Sequence, residues 1–344
     1  MVAAVVRVAQ VATVDLAGAG GVEVHILRLA EALRGLGVEV EVIGGSAAKR
    51  WRGWGDFDVV HTHGCAVPRG LLRRRPEVGR VHTLHGVSVD YLLRCRAWGN
   101  WRCYWGTGVE WLGARAADRV IAVSESVRRR AAGFLRVPQE RLVVIGNGWS
   151  GRAAGVQERE VERRRLGLRE DEVAVLFVGR GEDRVKGAPA LAAAVESIRR
   201  RRPEVRLVAA PGAGFEGMPG VLQTGKVGYE EMGRLYAAAD VFVNASLNEG
   251  MPLTVVEAMG AGVAIVAAPV GGIPEVIEDG VSGLLLRRDR EDLEAKLERV
   301  IVDGQLRARL GAAAAERAKR LTWQAVAKET LRQYEIVLAT KKGV

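Results

Sequence analysis

Cysteine is scarce in this chain: three residues, Cys65, Cys95 and Cys103, among 344. An odd, small number in a long chain excludes a disulfide framework, and no pair has the C-x-x-C spacing of a structural zinc site. Lysine is also scarce, eight of the 51 basic residues, and the arginines are scattered over the whole length. The net charge of +10 therefore decides little. A genome bias toward arginine accounts for it as well as a nucleotide, a nucleic acid or an anionic membrane surface would. No uninterrupted apolar run approaches the roughly 18 residues of a membrane span, and no basic segment leads into a long apolar core at the start. These absences lead to the expectation of a soluble, cytoplasmic protein. What is present is globular: 48% hydrophobic and 27% charged residues exclude disorder, and the length suggests two domains.

Apolar β-branched runs alternate with amphipathic stretches, the pattern of a parallel sheet covered on both faces. Strands are expected over residues 5–11, 38–43, 59–60, 81–84, 120–123 and 142–145, with a helix over 22–36. Residues 146–161, rich in Gly and polar side chains, read as a linker. The alternation then restarts, with strands over 173–178, 205–210, 221–224, 241–244 and 263–267 and helices near 188–201, 229–239, 252–261 and 290–302. Residues 323–338 carry apolar side chains at helical spacing. Two such units in tandem would face each other across a ligand cleft at the carboxyl ends of their strands.

The most informative segment is Glu249-Gly250-Met251-Pro252-Leu253-Thr254-Val255-Val256-Glu257. It follows a strand and places Pro252 where it can open a helix. Glu249 then falls in the turn, and Glu257 about one and a half turns along the helix. Backbone N–H groups at such a helix start attract phosphate, so the pattern predicts a phosphorylated ligand between two acids. A solvated surface helix with ordinary N-terminal acids is the competing interpretation.

Other residues suit the same ligand. Arg180 and Lys186 flank the loop after the strand at 173–178, where two long cations can clamp a diphosphate. Gly18-Ala19-Gly20-Gly21 joins the first strand to a helix and permits close backbone approach to a phosphate or sugar. It is not a dinucleotide fingerprint: Glu23 stands where the third glycine would be, and Val42-Ile43-Gly44 offers no acid. His85 ends a short apolar strand and can meet a sugar hydroxyl or position an acceptor. His61 suits the core, and His61, His63 and His85 do not make a metal site, because a strand-end pair of histidines lacks a convincing third ligand.

Taken together, these residues resemble the retaining glycosyltransferases of family 4, also called group 1 glycosyltransferases, with the two-domain GT-B architecture. The most specific match is Asn248-Glu249-Gly250-Met251-Pro252 through Glu257-Ala258-Met259-Gly260, with Gly271-Gly272-Ile273-Pro274-Glu275 and Gly280-Val281-Ser282-Gly283 beyond it. Val178-Gly179-Arg180, Lys186-Gly187, Val123-Ser124-Glu125, Asn147-Gly148 and Gly225-Lys226-Val227 support it, so the match runs along nearly the whole chain.

The resemblance implies two Rossmann-like parallel-sheet domains facing across a cleft. Residues 1–150 would bind the acceptor, residues 151–322 would bind the donor, and a helix at about 323–340 would pack back on the first domain. It implies a hexosyltransferase-type enzyme moving a sugar from a nucleotide-diphosphate sugar to a hydroxyl acceptor, on a glycan, a lipid or a small molecule. Arg180 and Lys186 would neutralise the diphosphate, assisted by the backbone of Gly20–Gly21 and of Gly250, Met251, Pro252, Leu253 and Thr254. Glu257 would hold the ribose, Glu249 the transferred sugar with His85 beside it, and Lys226-Val227 the edge of the base. No cofactor is implied, and no Asp-x-Asp motif is present to hold a metal on the donor. Two departures stand out: Ser150 replaces an acid common in relatives, and the longer arm between Arg180 and Lys186 lets Arg184 share the phosphate role. A GT-B nucleotide-sugar epimerase and a non-catalytic nucleotide-sugar-binding protein are the alternatives. A phosphorylase would need a pyridoxal-bearing lysine, and no lysine has the context for it.

Trp98, Trp101, Tyr104, Trp105 and Trp111 lie among Arg94, Arg96, Arg102 and Arg115. Residues 98, 101 and 105 are expected on one helical face. That face suits an anionic membrane surface, with peripheral attachment to the inner membrane face, or a stacked sugar acceptor; packing against the domain or a second subunit is the alternative. No nucleic-acid partner is expected.

Overall fold

The computed structural model describes residues 6–342 except 18–19, 67–74, 96–97, 151–154, 180–182, 213 and 288–289. The chain divides into two compact units, Met1–Gly148 with Thr322–Val344, and Trp149–Leu321.

Unit 1 contains β1 (Arg7–Val11), α1 (Gly21–Arg34), β2 (Glu39–Ile43), α2 (Gly45–Arg50), β3 (Val59–His63), β4 (Gly79–Leu84), α3 (Val89–Arg94), α4 (Trp101–Ala116), β5 (Arg119–Ala122), α5 (Glu125–Gly133) and β6 (Leu142–Val144). The strands form one parallel sheet in the order β2-β1-β3-β4-β5-β6. Every residue of β3 and β4 is buried, because helices cover both faces of a parallel sheet. These two strands nevertheless carry His61, His63 and His82. The last helix of the chain, Trp323–Lys342, also belongs to this unit and packs on α1 and β4.

Unit 2 contains α6 (Val156–Arg165), β7 (Val173–Gly179), α7 (Ala188–Arg199), β8 (Val205–Pro211), β9 (Val221–Gln223), α8 (Tyr229–Ala238), β10 (Val241–Asn244), α9 (Leu253–Gly260), β11 (Ala264–Ala267), α10 (Ile273–Val276), β12 (Leu284–Leu285), α11 (Arg290–Val302) and α12 (Gly304–Ala318). Its parallel sheet runs β12-β11-β10-β7-β8-β9. Phe177, Leu191, Leu207, Val243, Val266 and Leu297 belong to the core on one side of it, each almost fully excluded from water.

Both sheets reverse strand order once, between β1 and β3 in unit 1 and between β7 and β10 in unit 2. At such a reversal the two following connections depart to opposite sides and leave a crevice at the carboxyl ends of the strands, where ligands of this fold class bind. Val11 and His63 end the strands at the first point, Gly179 and Asn244 at the second.

Three sequence expectations are corrected. The region 146–161 is not all linker: α6 begins inside it, and residues 151–154 lie outside the described residues. Arg159 and Arg163 draw this helix onto Asp240, at 2.6 and 3.0 Å, and Asp240 also accepts from the backbone of Ala174 on β7 at 2.8 Å. These two arginines therefore bind the end of the sheet rather than solvent. Trp98 is not on a helical face with Trp101 and Trp105, because Asn100 caps α4 by accepting from the Arg102 N–H, so the helix starts at Trp101. Pro252 precedes α9 as its cap, with extended backbone, instead of sitting within it.

Candidate active site

The crevice at the end of β7 and β10 is built by two short connections. From β7 the chain passes through residues 180–182, outside the described set with Arg180 among them, and returns at Asp183. The Asp183 side chain accepts from the Lys186 N–H at 3.0 Å and fixes the turn. Gly187 follows with φ +76°, where a Cβ would lie 2.2 Å from the carbonyl oxygen of Ala245. Only glycine lets the two connections pass so closely. Arg184 lies in this turn; Gly187 caps α7.

Lys186 is thereby aimed at the connection after β10. Its Nζ lies 2.8 Å from Oε1 of Glu249. The same carboxylate oxygen accepts from the Ser246 hydroxyl at 2.7 Å and, at 3.4 Å, from the Asn244 amide. Glu249 is 10% exposed and Lys186 37%, so the carboxylate is the anchored partner and the ammonium is the one that solvent reaches. Behind them, Gly271 (φ +58°) lets the chain pass against Glu249 and Gly250, where a Cβ would lie 2.3 Å from the Glu249 carbonyl oxygen. The Gly272 N–H donates to the Gly250 carbonyl at 2.7 Å.

Helix α9 follows at once, capped by Pro252 without a side-chain acceptor. Met251, Leu253, Val255, Val256, Ala258 and Met259 are all buried, and a helix apolar nearly all round is a core element. A solvated surface helix is excluded. Glu257 is the charged residue in the middle of this helix, and its Oε2 accepts from the buried Tyr236 hydroxyl at 2.9 Å. Burial and the Glu257 charge push the Tyr236 phenol well above its usual pKa, so it stays a donor. A cavity of about 230 Å³ reaches Glu257 from between Trp149, Ser150, Tyr229, Tyr236 and Ala261. Lys226 is exposed and Val227 half-buried beyond β9.

The remaining candidates lie in unit 1. Gly20 caps α1, and the Glu23 carboxylate folds back over it, where a Cβ on Gly20 would lie 2.4 Å from Oε2. His85 follows β4, with Nε2 3.3 Å from Nδ1 of His63. His25, from α1, meets both: ring centroids are 4.6 Å from His85 and 5.7 Å from His63. His61 is satisfied on both nitrogens, by Tyr334 and Thr83 at 2.7 Å each, and its ring stacks on His63 at 4.2 Å. Burial pushes His25 down to about 4 against the opposing hydrogen bond from Asn147. Burial and the neighbouring imidazoles hold His63 and His85 well below the usual range.

Known proteins match along the chain. The profile described as "Glycosyl transferases group 1" covers residues 172–303, and "Glycosyltransferase Family 4" covers residues 44–149. The D-inositol 3-phosphate glycosyltransferase of Geodermatophilus obscurus is 31% identical over 84% of this chain and 70% of its own length. The chain belongs to the family 4, group 1 glycosyltransferases. The glycosyltransferase named phosphatidyl-myo-inositol mannosyltransferase of Mycolicibacterium smegmatis is 29% identical over 92% of this chain and 90% of its own. Among solved structures, sucrose-phosphate synthase of Thermosynechococcus elongatus superposes with a TM-score of 0.80 at 22% identity, over 97% and 99% of the two chains. Anabaena HepE in complex with UDP-glucose gives 0.72 at 19%, over 96% and 99%. At these identities the likeness is one of fold, GT-B.

In this glycosyltransferase the structure joins Lys186 to Glu249 directly and sets Glu257 on the helix that begins four residues beyond Glu249. His85, Gly20 and Gly21 belong to the other unit. Sequence reasoning missed Asn244, Ser246, Tyr236 and His25. The first two carry a usable signal, polar side chains closing an apolar strand at its carboxyl end. Tyr236 looks like one more apolar position on α8, and His25 like one on α1.

Proposed function

We propose that this glycosyltransferase moves a hexosyl group from a nucleotide-diphosphate sugar to a hydroxyl acceptor, with retention of configuration and without a metal on the donor. Unit 2 binds the donor and unit 1 the acceptor. The observation that carries this reading is the Lys186 ammonium held 2.8 Å from Glu249 at the strand-order reversal of unit 2, next to the start of α9. A fixed cation and a helix N-terminus stabilise the negative charge of a departing diphosphate without solvent having to reorganise.

In the step proposed, the bond from the anomeric carbon to the diphosphate oxygen breaks, and its electron pair leaves with the diphosphate. The acceptor oxygen bonds to the same carbon from the same face, and its proton passes to the departing phosphate oxygen. No side chain acts as nucleophile. Arg180 and Lys186 hold the diphosphate with the backbone of Gly20–Gly21 and of residues 250–254; Glu257 holds the ribose, Lys226-Val227 border the base, and Glu249 and His85 position the sugar.

HepE, solved with UDP-glucose, supports a nucleotide-sugar donor. The names of the two inositol-linked relatives make a phosphorylated inositol the first acceptor class to assay. No described helix is long and apolar enough to cross a membrane. Trp101, Tyr104 and Trp105 of α4 are each more than half exposed, an apolar face that suits peripheral contact with a lipid-linked acceptor.

Thermal unfolding against a panel of nucleotide sugars tests the reading, because a ligand bound only by the native state raises the midpoint. One nucleotide-sugar class should stabilise the protein and then be consumed when an acceptor is added. A panel without any stabilising donor contradicts the proposal.

A further inference from the structure

All five histidines of the chain lie in unit 1, and three of them converge. His25, His63 and His85 can each offer a ring nitrogen such that all three lie within 4.8 Å of one another. They come from α1, the last residue of β3 and the residue after β4, at the strand-order reversal of this sheet. From this convergence we propose a three-histidine site for a divalent first-row transition metal, with zinc as its natural occupant.

Several independent observations support a cation there. First, Nδ1 of His63 and Nε2 of His85 are 3.3 Å apart. Two nitrogens held at about 2.0–2.1 Å from a tetrahedral zinc lie about 3.3–3.4 Å apart. Second, His25 is 2% exposed, yet its Nε2 has no hydrogen-bond partner among the described residues. A buried, unpartnered ring nitrogen is costly, and a metal ion satisfies it. Third, the supports that orient metal-bound imidazoles are in place. Asn147 Oδ1 lies 2.7 Å from His25 Nδ1, so it takes the N–H there and leaves the lone pair on Nε2. His61, tied at both nitrogens, stacks beneath His63, and Trp323 packs edge-on against His25 at 5.3 Å.

Neutral imidazoles select zinc, cobalt, nickel and copper over magnesium or calcium, which prefer oxygen. Three protein ligands leave a fourth position for water, the form of an open rather than a closed zinc site. The half-buried His85 is the member that keeps contact with solvent. Resting on the reading that His85 positions the sugar, occupancy of this site inhibits transfer, because a metal-bound His85 cannot meet a sugar hydroxyl. Donor chemistry itself needs no metal.

The test uses the full-length, chelator-treated protein and cobalt(II) as the probe, read by its visible ligand-field absorption. One equivalent should bind with the intense spectrum of a four-coordinate ion, and zinc should displace it. His25→Ala and His63→Ala should abolish that spectrum, Asn147→Leu should weaken binding about 10–100-fold, and His82→Gln, outside the site, should leave it unchanged. Saturable cobalt binding with the weak spectrum of a six-coordinate ion, or no saturable binding by the wild type, overturns the site, and neither result requires a variant to fold. A site equally strong in folded His25→Ala and His63→Ala overturns it as well. Spectra and activity separate the two readings: cobalt binding without any transfer activity refutes the donor reading alone, and transfer unaffected by zinc with the site filled refutes the inhibitory role.

Discussion

The Tyr236 hydroxyl donates to Oε2 of Glu257 at 2.9 Å, across the interface of α8 and α9. This bond fixes the rotamer of the carboxylate assigned to the ribose before any nucleotide arrives. Glu257→Ala should weaken the binding of the cognate nucleoside diphosphate about 10–100-fold, the loss expected for charged hydrogen bonds worth about 1.5–3 kcal/mol. Calorimetry with UDP, GDP and ADP measures it. Tyr236→Phe keeps the charge and should cost less than tenfold.

Gly187→Ala tests the close passage that aims Lys186. The substitution places a Cβ at 2.2 Å from the Ala245 carbonyl oxygen on a backbone at φ +76°. Left-handed backbone alone costs a non-glycine residue about 1–2 kcal/mol. Unit 2 should lose at least that much in urea unfolding, and transfer should slow because Lys186 moves with its neighbour. Unchanged stability would show that the two connections separate freely.

Acid stability should report the buried His82. Burial pushes this imidazole down to about 4, while its Nδ1 lies 2.7 Å from the Thr62 hydroxyl. A histidine depressed in the native state binds protons preferentially in the unfolded chain. Its contribution is whole above the unfolded pKa near 6.5 and is lost as pH falls toward 4. At pH 4.5 the loss is on the order of 2–3 kcal/mol. Seven of the eight tryptophans belong to the same unit as His82, so fluorescence-detected urea unfolding at pH 7 and 4.5 reads it directly. His82→Gln should fall less steeply with pH than the wild type; parallel curves would contradict the assignment.

The aromatic face of α4 should bind anionic vesicles. Trp101 and Trp105 are 69% and 62% exposed, and tryptophan partitions to the membrane interface. In co-sedimentation with vesicles containing anionic phospholipid, the wild type should pellet and Trp101→Ala/Trp105→Ala should stay in solution. Equal behaviour of the two proteins removes this surface as a membrane contact.

The alternation of strand and helix was legible because β-branched runs such as those of β7, β10 and β11 are bounded by glycines and polar turns. The link between Glu249 and α9 was legible for the same reason, since strand, turn, proline and helix follow within a dozen residues. Features that depend on distant pairing were not. Asp240 converts an arginine-rich stretch into α6 from more than 70 residues away. His25 joins His63 and His85 only because the sheet places β1 beside β3 and returns α1 over their ends. β12 has two residues and takes its place from pairing with β11 rather than from any pattern of its own.

The central claim is that Lys186 stabilises the departing diphosphate, and single-turnover transfer from the donor identified by thermal stabilisation tests it most directly. Lys186→Ala should slow the chemical step about 100–1,000-fold, the loss typical of removing one preorganised charge-stabilising group, while donor affinity changes less than about tenfold. A variant that transfers at the wild-type rate would contradict the account.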